Sequence, residues 1–402
     1  MAKDTSKASA FATNTATSRK RDYFSMFSVP TAGGVLITSV SCLLVLSLIM
    51  VASASIPFAN MHDLPQLTYF KNQFLYMIIG LAVGFIVYKT PLSWFYDMLF
   101  LVLSLAAVLL LLILTLAIGN EINGAKRWIQ LGPFNFQVAE LAKLVMVLFT
   151  ADFVVRRANE VRQGIGGIIR LGITVGVLIW LIMSQPDFGS AVILSGVILS
   201  IFFVAGASWA QISILVVLGA IGGVYAILFQ EYRLIRFASF WDPFDDIQGS
   251  DYQLARSLIA FGRGEVTGVG YGESVQKLAH LPEAHTDFLL AITGEELGLV
   301  GVLTVLFLEA VVVICTMRIS YNALRNNQMR LSYTAFGIGV IFIGQIVINA
   351  GMNMGVMPTK GLTLPFFSYG GSSMLMCLIM VGLLLNIQKT SPKIAPIRCR
   401  HY

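Results

Sequence analysis

Three side chains able to move protons or bind cations are packed into Leu281-Pro282-Glu283-Ala284-His285-Thr286-Asp287-Phe288, where a polar stretch gives way to an apolar run. A carboxylate at such a junction is partly desolvated, which disfavours its charged form and makes it a better proton acceptor. Asp287 is therefore the candidate general base, weighed against a plainer role as cap of the helix that opens at Phe288. Glu283 and His285 stand beside it as candidates for holding a substrate. A metal bound by Glu283, His285 and Asp287 is chemically conceivable, but their spacing does not compel one. The polar stretch, 230–287, also carries Arg233, Arg236, Arg256, Arg263 and Lys277, cations that would attract an anion.

Other polar groups interrupt the apolar background. Asn123-Gly124-Ala125-Lys126-Arg127-Trp128-Ile129 sets Lys126, Arg127 and an indole before an apolar helix, a pattern that serves equally for anchoring at headgroup level and for capturing an anionic headgroup. Glu140 and Lys143, three apart on one helix face, are expected to form a structural ion pair, since each alone would be costly in lipid. Gln185-Pro186-Asp187 separates two apolar runs, and Asp187 can cap the second. Glu295 and Glu296 can line a cavity or pair with basic groups. The segment 357–373 is bent by prolines and glycines, and Lys360 is its only charge. Irregular backbone of this kind is tolerated near a membrane only under protein or a wet cavity, which makes Lys360 a candidate anion ligand.

The elements that must position these groups are membrane helices. With 56% hydrophobic and 12% charged residues and a mean hydropathy of +0.78, the chain is far more apolar than a soluble domain. Apolar runs near the roughly 20 residues needed to cross a bilayer lie at about 34–52, 73–90, 97–118, 137–155, 165–184, 188–206, 209–229, 288–316, 332–353 and 366–387. The fold class expected is thus an all-α polytopic membrane protein of ten helices, spanning 31–402, with a large periplasmic loop at 230–287 between helices seven and eight. Of the 27 Lys and Arg residues, 17 fall on the side that holds both termini and 9 on the other, which puts both termini in the cytoplasm. The net charge of +6 is largely an inner-surface property, and no basic stripe interleaved with aromatics points to nucleic acid.

Residues 1–30, rich in Ser, Thr, Ala and Lys, read as a disordered cytoplasmic tail. Ala52-Ser53-Ala54 imitates a signal-peptidase site, but the run before it is too long for a signal peptide, so an uncleaved anchor is expected. Cys42, Cys315, Cys377 and Cys399 have no zinc spacing and read as reduced structural residues. Tyr252 to Ala260 has the spacing of a short amphipathic or re-entrant helix. The glycines from Gly262 to Gly272 lack the flanking strand and Gly-Lys-Ser/Thr of a phosphate loop, and read as a mobile loop over an outer cavity.

Taken in order, these segments resemble the SEDS family (shape, elongation, division and sporulation) of bacterial membrane proteins. The resemblance runs from about Val51 to Asn386 and rests on the motifs at 123–129, Ala-Glu-Leu-Ala-Lys (139–143), Gln-Pro-Asp-Phe-Gly (185–189), Tyr-Gln-Leu (252–254), 281–288 and 358–373. Lys360 within Pro-Thr-Lys-Gly resembles the division branch, and Val138 departs from the proline usual in the family. The resemblance implies a glycosyltransferase that polymerises lipid II into glycan strands at the division septum of the inner membrane. It also implies a class B penicillin-binding protein transpeptidase and other division proteins as partners. By motif position it implies that Asp287 is catalytic and that Arg127 and Lys360 serve the site.

Such a reaction has a sugar 4-hydroxyl attack an anomeric carbon while undecaprenyl pyrophosphate departs. An α-linked donor giving a β-linked product needs only one in-line displacement, with one base and stabilisation of the leaving charge. Asp287 is the expected base and Arg127 and Lys360 the leading pyrophosphate ligands. Lys126, Arg233, Arg236 and Arg256 are further candidates, and a divalent cation, Mg or Mn, could share the role. The rival expectations are a lipid II flippase, which would call for polar residues at mid-membrane depth on several helices, and a non-catalytic scaffold for division proteins.

Overall fold

A computed structural model describes residues 31–122, 125–131, 134–164, 166–228, 244, 252–278, 280–358 and 361–391. The expected tail 1–30, Asn123 and Gly124, Arg233 and Arg236 with most of the early polar loop, Lys360 and Cys399 lie outside the described residues.

The long apolar runs fold as helices. They are α1 (Ala32–Met61), α2 (Thr68–Lys89), the single turn α3 (Leu92–Phe95), α4 (Met98–Ile118), α5 (Val138–Arg156), the short α6 (Ala158–Gln163), α7 (Gly166–Ser184), α8 (Phe188–Val204) and α9 (Trp209–Leu228). After the polar loop come α10 (Tyr252–Gly264), α11 (Leu289–Arg325), α12 (Met329–Asn353) and α13 (Gly371–Thr390). Among the described residues, 7 helices are long and apolar enough to cross a membrane, with α8 and α9 as shorter apolar companions. Helix α5 supplies the remaining expected segment. It carries Glu140, Lys143, Asp152 and Arg156, yet nearly all of it is buried inside the bundle.

Charge on α5 is neutralised locally. Lys143 Nζ lies 2.7 Å from Glu140 Oε1, with both side chains buried, and Asp152 pairs with Arg156 and, at 3.3 Å, with Arg330. Helices α5, α12 and α13 form the centre, whereas α2 and α4 turn most of their apolar surface outward. Cys315 and Cys377 are buried free thiols and Cys42 is an exposed one.

Two features depart from a bundle of plain helices. The segment between α4 and α5 folds as a small antiparallel sheet of β1 (Asn120–Ile122), β2 (Ala125–Leu131) and β3 (Phe134–Gln137), in the order β1-β2-β3. Helix α11 is broken at Gly298, whose φ of 66° and ψ of −165° lie where a side chain is disfavoured. The break frees backbone groups that cannot go unpaired in a membrane protein. The stretch 265–270 pairs with them: Val269 N–H donates to Glu295 O (3.0 Å) and Gly270 N–H to Glu296 O (3.1 Å). On the far side of the break Leu299 N–H donates to Glu265 O (3.0 Å) and Val300 N–H to Val266 O (3.2 Å).

The glycine-rich stretch is thus pinned to α11 by its backbone, where the sequence reads as a mobile loop. Side chains add to the attachment: Glu295 takes Arg263 Nη1 at 2.9 Å, and Glu296 takes Lys277 Nζ at 2.7 Å and Ser53 Oγ at 2.6 Å. Glu295 and Glu296 therefore pair with basic groups, and through Ser53 the loop is fastened to α1.

Candidate functional site

Alternation along β2 decides which cation of the hairpin faces inward. Side chains two apart share a face of a strand, and Arg127 falls between Ala125 and Ile129, both buried, while Lys126 and Gln130 point outward. The Arg127 guanidinium is fixed on the turn that joins α7 to α8: Nε donates to Gln185 O at 3.3 Å and Nη2 to Pro186 O at 2.5 Å. Asp187, next in this turn, caps α8 by accepting from Ser190 N–H at 3.1 Å, and also accepts from Gln137 Nε2 at 2.9 Å. One acid thus closes a helix and ties β3 to the turn that holds Arg127.

Asp287 sits at the end of the loop that leads into α11, half-buried. Its carboxylate and the Arg127 guanidinium meet above Gly361. A Cβ placed on Gly361 would lie 3.1 Å from Asp287 Oδ2 and 3.7 Å from Arg127 Nη1, so a side chain there would intrude between the two groups. Gly361 itself is exposed. A carboxylate and a guanidinium brought to the same exposed backbone position can take a proton from a hydroxyl and hold a phosphate oxygen.

Two buried asparagines, which sequence reasoning missed, hold the Asp287 backbone. The amide nitrogens of Asn349 and Asn353 each donate to Asp287 O at 2.9 Å, and Asn349 Nδ2 also donates to Leu362 O at 2.6 Å. Asn353 Oδ1 accepts from Ala291 N–H at 3.2 Å, and its carbonyl takes the Ser257 hydroxyl of α10 at 2.7 Å. One turn of α12 thereby binds the start of α11, the loop carrying Gly361, and α10. The signal in the sequence is two amides four apart in an apolar helix, which share a face and must point into the protein.

The remaining candidates are spread around this centre. His285 is buried against Phe58, Tyr69 and Tyr369, with ring centroids 4.7, 4.9 and 5.4 Å away. Burial pulls its imidazole down to about 4, so the ring is neutral at pH 7, where it organises an aromatic cluster beneath the loop. Its carbonyl accepts Tyr369 N–H at 3.1 Å, which ties 281–288 to the segment before α13. Glu283, half-buried with a φ of 55°, takes the Thr286 hydroxyl on Oε2 at 2.8 Å and so shapes the turn that delivers Asp287. Arg256 on α10 lies with its Cζ 5.2 Å from the Tyr252 ring centroid, and its Nε is buried with no hydrogen-bond partner among the described residues. Lys126 lies on the exposed face of the hairpin. Among the described residues no group of three His, Cys, Asp or Glu side chains comes together to hold a metal. Lys360 precedes Gly361 in the chain and, with Arg233 and Arg236, lies outside the described residues.

Comparison with known proteins covers nearly all of this framework. The chain is 46% identical over 370 residues to a protein of Acinetobacter baylyi named "Probable peptidoglycan glycosyltransferase FtsW", with 92% of each chain covered. A protein of the same name from Thioalkalivibrio sulfidiphilus is 42% identical, with 90% of each chain covered. Among solved structures, a chain from a peptidoglycan synthase complex that coordinates polymerization and crosslinking superposes with a TM-score of 0.73 at 26% identity, over 89% of this chain and 98% of its own. The rod shape determining protein RodA of Thermus thermophilus does so with a TM-score of 0.65 at 25% identity, over 89% and 97%. Residues 34–393 match the FtsW/RodA/SpoVE family, described as "Cell cycle protein", and with these relatives the chain belongs to that family, the SEDS proteins.

Proposed function

We propose that this chain is a peptidoglycan glycosyltransferase that polymerises lipid II during septal wall synthesis, with Asp287 as the general base. The observation that carries the reading is that Asp287 Oδ2 and Arg127 Nη1 both approach the same side of Gly361, 3.1 and 3.7 Å from where a Cβ there would lie. The relatives named as FtsW glycosyltransferases support the activity, and their cell-cycle family supports the septal setting in the inner membrane.

In this reading the acceptor's 4-hydroxyl approaches Asp287, gives up its proton to the carboxylate, and attacks the anomeric carbon of the donor. The carbon–oxygen bond to the pyrophosphate breaks in line, and the electrons leave with undecaprenyl pyrophosphate. Arg127, held rigid by two carbonyls, stabilises that departing charge without reorganising, and Lys360 joins it from the residue next to Gly361. The asparagine pair fixes the backbone of the base. The polyprenyl chains lie along the apolar flanks of the bundle. Both termini face the cytoplasm and the site faces the periplasm, where the glycan is needed. The synthase complex to which the fold is similar supports a class B penicillin-binding protein as the partner that crosslinks the product.

Purified chain with its transpeptidase partner, given lipid II in detergent where no sidedness exists, tests this. Asp287→Asn is expected to lower polymerisation by about 10²–10⁴-fold, the contribution of a positioned base. Equal polymer from parent and variant removes Asp287 from that role, and absence of polymer from both, with lipid translocation in vesicles, replaces the enzyme by a flippase.

A further inference from the structure

At the opposite end of the bundle from Asp287, α1 begins and α2, α11 and α13 end around a cleft of about 1090 Å³. We infer that this cleft binds an anionic glycerophospholipid of the inner leaflet, with the phosphate between Arg318 and Lys389 and an acyl chain laid against α1 and α2. The site is independent of the glycosyltransfer chemistry and shares no residue with it.

The walls have the chemistry of a lipid site. Ile37, Leu81 and Phe85 line the cleft and stay exposed, facing the place an acyl chain would occupy. The cleft runs along α1 from Thr31 to Leu44, about 20 Å of helix, which matches the depth of one leaflet.

The mouth is cationic and uncompensated. Arg318 and Lys389 line it, no acidic residue does, and neither cation has an ion-pair partner among the described residues. Aromatic rings gather positive charge there: Lys389 Nζ lies 5.5 Å from the Tyr88 centroid, and Lys89 Nζ lies 5.8 Å from Tyr88 and 5.3 Å from Phe85. Lys89 and Lys389 share the Tyr88 ring and repel one another, and a phosphate relieves that repulsion. Basic pockets between helices at this depth suit anionic headgroups.

Charge also argues against other occupants. The chain's own segments that adjoin the cleft in sequence are basic, with Lys3, Lys7, Arg19, Lys20 and Arg21 before Thr31 and Lys393, Arg398 and Arg400 after Lys389. An apolar helix of a partner protein would cover the walls and leave the cations at the mouth unpaired.

Native mass spectrometry of the purified full chain, offered dioleoylphosphatidylglycerol and dioleoylphosphatidylcholine at equal concentration, tests the site. The parent should hold the anionic lipid with about tenfold preference or more, and Arg318→Gln/Lys389→Gln should erase it, since each surface cation contributes to anionic-lipid binding. Ile37→Trp, which fills the cleft without changing charge, should lower occupancy by both lipids and serves if the double variant fails to fold. Equal occupancy by both lipids in the parent overturns the inference, as does a preference that survives the double substitution. A photocrosslinker in place of Phe85 that captures a protein in native membranes and no lipid also overturns it, in favour of a partner helix.

Discussion

Replacing Asn349 with leucine tests whether the amide pair positions Asp287, the base we propose. Leucine is close in volume, so the change removes three hydrogen bonds, two that Asn349 donates and one that its Oδ1 accepts from Asn353 at 3.3 Å, while leaving the packing largely intact. The consequences are unequal. Asp287 O keeps its bond from Asn353 at 2.9 Å, whereas Leu362 O loses its bond from Asn349 at 2.6 Å and is left buried. One stranded carbonyl costs about 1–3 kcal/mol, a modest loss for the whole protein. The same free energy weighs far more on turnover than on the whole protein, because Leu362 follows Gly361 and its carbonyl fixes the loop that faces Asp287 and Arg127. A displacement of about 1 Å at a reacting centre costs about 10²-fold in rate. The assay is lipid II polymerisation with the transpeptidase partner present, read as kcat and KM separately, beside the thermal midpoint. The expected result is a fall in kcat with KM little changed and only a small drop in midpoint. Wild-type kcat from Asn349→Leu, in a preparation where Asp287→Asn is inactive, would refute the positioning role.

The buried pair on α5 and the neutral histidine of the loop give two further tests. Lys143→Leu alone should destabilise the bundle by about 3–5 kcal/mol, because it leaves Glu140 charged and buried, whereas Glu140→Leu/Lys143→Leu together should cost far less; thermal unfolding of the three proteins separates them. His285 has an ordinary value of 6.5 and is held near 4 in the fold, so the unfolded chain binds the extra proton first as pH falls. Its contribution is present at neutral pH, fades between about 6.5 and 4, and is gone below that, an acid loss on the order of a few kcal/mol. His285→Phe should flatten this part of the midpoint-against-pH curve, and an unchanged curve would contradict the assignment.

The ten apolar runs could be read directly because hydrophobic length alone specifies a membrane helix. Their ends were harder. Helix α1 continues through Ser53, Ser55 and Pro57 to Met61, past the point where composition stops resembling a bilayer span, because Ser53 and the residues around it are covered by the loop at 271–278 rather than by lipid. The sheet at 120–137 carries little strand signal because β1 and β3 are only three and four residues long and the β1–β2 register shifts between Asn120 and Glu121. For the site, the residues with charge were visible and those that hold them were not. Asp287 and Arg127 stand out in an apolar chain, but the partners of Asn349 and Asn353 are backbone carbonyls and amides of segments distant in sequence, which no local pattern encodes. Arg127 and Lys126 were indistinguishable by type. Only the pleat of β2 separates them.

The interruption in α11 has a bearing on how the chain is made. Its patch, residues 265–270, precedes the break in the sequence, so the ribosome releases the repair before the damage. When Glu295 and Glu296 emerge, the segment whose N–H groups will take their carbonyls already exists, and the two halves of the helix never have to enter oil with naked peptide groups.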